Sequence, residues 1–167
     1  MAAPNRPIYH GFVVGLIAYA AVAAFYGVFD LLAARGALYT VNQLGLALVR
    51  GLRDTGQVGL PVPLDFAAIA LYNALHLFAS LAIGFVVTGL IAHSIERPAR
   101  APIILVVLIG GFVGTVALIG VVTIPMRPVL PWWSIILANT LAVVIAMRYV
   151  IRQFPTVFGR LTDQADR

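Results

Sequence analysis

The chain is expected to fold as an all-α polytopic membrane protein: a four-transmembrane-helix bundle with a short interfacial helix between helices 1 and 2. Two observations predict this. Of the 167 residues, 62% are hydrophobic and only 10% are charged, whereas a soluble domain carries about 45–50% apolar and about 25% charged residues. The apolar residues also gather into four runs, at about 8–34, 66–93, 102–124 and 131–151, each long enough for the roughly 20 residues that cross a bilayer as a helix. Helix is required because hydrocarbon offers no partner to a backbone N–H or C=O. The length accommodates a single transmembrane domain, 1–167.

The first run, HGFVVGLIAYAAVAAFYGVF, has no charge between Arg6 and Asp30. Its apolar part exceeds the core of a secretory signal, about 7–15 residues, so it reads as a retained helix. In the following connection, Thr40 and Gln43 have capping-box spacing, and Val41, Leu44, Leu48 and Leu52 recur at helical spacing before Gly56. That pattern predicts a short amphipathic helix at about 40–55, lying in the membrane interface or packed on a partner subunit. The second run carries Asn73, His76, Ser80, Gly84 and Thr88 at intervals of three and four residues, which places them on one helix face. Such a polar and small stripe is expected to face protein. Run three is uncharged from Arg100 to Arg127, and a tight PMRPVLP turn leads into run four. Prolines 98, 102, 125, 128 and 131 fall at the predicted helix ends, where proline costs least. Trp132 and Trp133 open the fourth run and Tyr149 lies near its other end, an interfacial aromatic belt. Residues 155–167 read as a short polar tail.

The net charge of +5 comes from arginine alone, since the chain contains no lysine, and there is no cysteine for a disulfide or a thiolate site. Because the arginines stand at span ends and not on one soluble face, anionic lipid headgroups are the expected partner and nucleic acid is not. Placing Arg6, Arg97, Arg100, Arg148, Arg152, Arg160 and Arg167 inside, against Arg35, Arg50, Arg53 and Arg127 outside, predicts cytoplasmic N- and C-termini in a bacterial inner membrane.

Few residues bear chemistry. His76 lies ten residues into its run, about 15 Å along a helix. It is expected to hydrogen-bond Asn73, Ser80 or Asn139 and so pin helix register, with a ligand or proton-carrier role as the alternative. His10 and His93 share a depth on adjacent antiparallel spans and form a candidate pair for a metal or an edge-on haem. Asp30, the one acid inside an apolar run, is expected to pair with Arg35 or Arg127, with a proton pathway as the alternative. Gly11 with Gly15, and Gly110 with Gly114, have the spacing of close helix contacts. No paired carboxylates, HExxH or Ser-His-Asp arrangement suggests an enzyme, no metal-ligand set is complete, and no cofactor is expected apart from the haem alternative.

The stretches DLLAARGALYTVNQLG and LYNALHLF, with Tyr72 and His76 four residues apart, resemble a pattern in small bacterial four-helix membrane proteins. The resemblance covers the first half of the chain and implies four spans; it implies no activity. The expected function is a non-catalytic accessory subunit of a larger membrane complex, respiratory or photosynthetic, with other membrane-protein subunits and the lipid bilayer as partners. The alternatives are a small haem- or quinone-binding electron-transfer protein, and a small transporter or channel subunit.

Overall fold

A computed structural model describes residues 7–51 and 63–154. Among these the protein is all helical: α1 (Pro7–Leu32), α2 (Tyr39–Arg50), α3 (Phe66–Glu96), α4 (Ala101–Val122) and α5 (Trp132–Gln153), with no strand. Four of the five are long and apolar enough to cross a membrane, so the chain is a four-span helical membrane protein. Arg6, Leu52, Arg53, Gly56, Arg160 and Arg167, the far end of the predicted 40–55 helix and the 155–167 tail lie outside the described residues.

Local chemistry sets each boundary. α1 ends in a reverse turn in which Arg35 N–H donates to the Asp30 carbonyl and Ala34 N–H to the Leu31 carbonyl, both at 3.0 Å. Ala34 there adopts a left-handed φ of 55°, the conformation a helix-terminating turn demands and glycine accepts most easily. The Asp65 side chain caps α3 by accepting from Ala68 N–H at 3.0 Å. Pro98 and the 3-10 turn Pro98–Arg100 separate α3 from α4, and Pro131 precedes α5.

The spans alternate in direction. α1 packs most extensively on α3, then on α5, while α4 touches α3 and α5 more lightly. The main contact depends on glycine. A Cβ on Gly15 would stand 2.6 Å from Leu81 Cα, and one on Gly84 would stand 2.6 Å from Gly15 N. The two backbones therefore touch across Gly11, Gly15 and Gly84, which maximises dispersion contact where no hydrophobic force acts between helices.

Two buried clusters close the bundle, one at each end. Val14, Ile91, Val150 and Phe154 form the cluster at the end bearing the N-terminus of α1. Leu44, Met126, Leu130 and Ile135 form the other, with Tyr26, Tyr72, Val116 and Ile119 packed against it. The α4–α5 connection is thus no exposed turn: Met126, Val129 and Leu130 fold back into the bundle and are almost wholly buried. α4 is buried only at Ile104 and Gly120, near its two ends.

The short helix differs from its expectation. α2 spans residues 39–50, and its first half is buried, including the polar Thr40, Asn42 and Gln43, while Leu48 and Val49 are exposed. It packs on α3 and drives Leu44 into the second cluster, so it stoppers that end of the bundle. A Cβ on Gly45 would collide with the backbone of Ala68 and Ile69, so this contact too is backbone to backbone. The polar residues are inside because other parts of the chain satisfy them, which the 3.6-residue period does not reveal.

Candidate functional site

The polar stripe of α3 faces α1. Thr88 is fully buried and donates to the Gly84 carbonyl of its own helix at 2.8 Å. Ser80 is buried where Gly15 approaches its carbonyl. Asn73 accepts from the Tyr19 hydroxyl at 2.9 Å and donates to the Ile69 carbonyl at 2.9 Å, so both ends of its amide are occupied. Neither of these bonds goes to His76. Asn139 on α5 donates to the Ile135 carbonyl of its own helix at 2.8 Å.

His76 therefore does not make the expected hydrogen bond to Asn73, Ser80 or Asn139. Its ring lies instead between two tyrosines, with centroids 5.2 Å from Tyr19 on α1 and 5.8 Å from Tyr72 one turn back on α3. Among the described residues no protein group hydrogen-bonds its imidazole, although the ring is half-buried at membrane depth.

His10 and His93 also part company. His10 Nδ1 shares a hydrogen bond of 2.8 Å with the Tyr149 hydroxyl on α5, and its ring packs on Phe154. His93 Nε2 accepts from Arg100 at 3.3 Å, since a guanidinium can only donate. The candidate His10–His93 pair does not form, because His10 turns to Tyr149 on α5 and His93 to Arg100 in the turn that follows α3. No cluster of three or more His, Cys, Asp or Glu suited to a metal occurs among the described residues.

Asp30 is fully buried and carries three bonds. Its carboxylate accepts from Thr40 N–H and from the Thr40 hydroxyl, each at 2.6 Å, and from Arg35 Nη2 at 3.2 Å. Of the two arginines expected as partners, Arg35 is the one engaged; Arg127 donates to the Gly120 carbonyl at the end of α4 and stacks on Trp132 at 4.2 Å. Arg35 is held between the rings of Phe29 and Tyr39, at 5.0 and 4.9 Å. The Thr40–Gln43 capping box is replaced. Thr40 is already inside α2, Leu38 supplies no side-chain cap, and Asp30 reaches across from α1 to satisfy the free N–H. Anionic charge is favourable at this helix terminus.

Sequence reasoning missed three groups. Tyr19 shares the Gly11 and Gly15 face, four residues on, so helical spacing was the available signal. Asn42 donates to the Pro63 carbonyl at 3.2 Å and accepts from Asp65 N–H at 2.9 Å, clamping the entry to α3; an amide beside the apolar positions of a short helix was the hint. Tyr26 and Ser134 share a 3.3 Å hydrogen bond between α1 and α5, and nothing local in the sequence marks it.

Comparison of the chain with protein-family models, with curated proteins and with solved structures finds no match.

Proposed function

We propose that this chain is a non-catalytic accessory subunit of a larger membrane complex, of the respiratory or photosynthetic kind, in a bacterial inner membrane with both termini cytoplasmic. One observation carries the reading: the outward face of α4. Gly110, Gly111 and Gly114 would each meet nothing within 4 Å if given a Cβ, in contrast to Gly11, Gly15 and Gly84, which are all consumed by internal contact. Gly110 and Gly114 lie on the side of the helix away from the partly or fully buried Ile104, Leu108 and Ile119. Glycine costs about 1 kcal/mol against alanine in a helix interior, and a small-residue face is repaid where another helix packs on it. The scarcity of chemistry-bearing residues, and an α4 tethered mainly at its ends, fit a subunit that presents this helix laterally. The arginine excess at the end bearing both termini supports the orientation.

The test is native electrophoresis of membranes extracted in mild detergent, with mass spectrometry of the bands. The wild-type chain should migrate with other subunits in fixed stoichiometry, and Gly110→Leu/Gly114→Leu should run as a free chain with unchanged helicity and melting temperature. A wild-type chain that runs alone in native extracts refutes the reading.

A further inference from the structure

We propose that the midsection of the bundle, at the level of His76, binds a neutral lipid-soluble ring of the quinone class, with Tyr19, Tyr72, His76 and Asn139 as its contacts. The first support is placement. The buried apolar clusters occupy the two ends of the bundle, and between Ile104 and Gly120 no α4 residue is fully buried. The midsection is therefore closed by small groups and not by large apolar side chains: α5 presents Ala138 and Ala142 there, both buried.

Register is the second. Gly15 opposite Leu81, and Tyr19 opposite Asn73 and His76, align α1 with α3. Tyr26 opposite Ser134, and His10 opposite Tyr149, align α1 with α5. Interpolating between these pairs brings His76 of α3 and Asn139 of α5 to the level of Tyr19.

The third is unmet hydrogen bonding. Asn73, Thr88, Tyr26 and Ser134 all have protein partners. His76 has none, and the side-chain oxygen of Asn139 accepts from no protein donor among the described residues. Both residues are half-buried and so remain reachable. An imidazole offers one N–H donor and one acceptor nitrogen, and leaving them unpaired in hydrocarbon is costly.

The ligand class follows from what the site offers. A carbonyl suits the imidazole N–H, and a reduced ring's hydroxyl suits the Asn139 oxygen. A flat ring suits the two tyrosine faces. A neutral molecule with an apolar tail suits a level with no charged residue, flanked by lipid. Haem is the poorer fit, since His76 has no second histidine at its depth.

The experiment uses the purified full chain in phosphatidylcholine nanodiscs, titrated with decylubiquinone and read by equilibrium dialysis and by nitrogen NMR of the histidine rings. Saturable binding near one per chain is expected, with a shift of the His76 ring nitrogens and not of His93. His76→Phe, which keeps a ring between the tyrosines, should weaken binding at least tenfold, and Tyr19→Phe less than threefold. His76→Gln, which restores a donor and an acceptor, should recover part of the affinity and guards against a folding defect in the first variant. Non-saturable partitioning that is equal in wild type and His76→Phe overturns the proposal, as does saturable binding that survives His76→Phe. Because the isolated chain is tested, the result is independent of whether α4 docks on a partner.

Discussion

At Gly84 a single hydrogen separates α1 from α3. A methyl group there would run into the Gly11 and Gly15 backbone, so Gly84→Ala is expected to destabilise the bundle by about 1–3 kcal/mol, the usual cost of overpacking. Gly114→Ala meets open space and should leave the isolated chain unchanged or more stable by up to about 1 kcal/mol. Parallel unfolding titrations of the purified variants check the pair, and equal losses would contradict the contact. Ala34 holds a positive φ at the end of α1, so Ala34→Gly should raise stability by about 0.5–1 kcal/mol on the same assay. Asp30→Ala strands the N–H and hydroxyl of Thr40 and frees Arg35; a loss of roughly 3 kcal/mol is expected. Asp30→Asn keeps an acceptor oxygen and should cost less.

The elements divide into a tight pair, a stopper and an outrigger. α1 and α3 form the pair, because three glycines let their backbones meet. α2 is the stopper: Asp30 fixes its start, Gly45 seats it on α3, and Asn42 ties it to the segment that enters α3. Asn42→Ala should therefore speed hydrogen exchange at the Asp65 amide by about tenfold, the equivalent of one hydrogen bond near 1.4 kcal/mol, while amides in the middle of α1 keep their protection. Unchanged exchange at Asp65 would mean that the clamp contributes nothing in the membrane. α4 is the outrigger, held by Ile104 at one end and at the other by Gly120 under the Trp132 ring, with Arg127 bracing both.

Across the described residues, the arrangement places the start of α1 and the end of α5 on one side and α2 on the other. With the arginine excess on the side of the termini, a fluorescent protein fused after Arg167 should light up inside bacterial cells, and a cysteine at Leu38 should react with a charged maleimide from outside. Labelling of that cysteine only after cell lysis would invert the proposed topology. The two end clusters of large apolar side chains flank the level of His76, where the proposed ring site lies apart from the lateral face of α4.

Much of this architecture was legible in the residues. Four apolar runs of bilayer length leave the backbone only the helical solution, because hydrocarbon supplies no hydrogen-bond partners, and Pro98, Pro102 and Pro131 mark boundaries through a missing N–H. The pairing of Asp30 with Arg35, five residues apart, was one of two readings that spacing allowed. What spacing cannot carry is choice among distant partners. Asn73 went to Tyr19, His76 has no hydrogen-bond partner among the described residues, His10 chose Tyr149 over His93, and one GxxxG-like pair was consumed inside the bundle while the other was left facing outward. A residue's helical face is set by its own neighbours in sequence, but its partner is set by which helix packs there and at what register. Composition and periodicity thus determined the membrane class and the spans of this protein. Only the tertiary structure decided which polar groups found partners, because that depends on which helix packs against each and at what register.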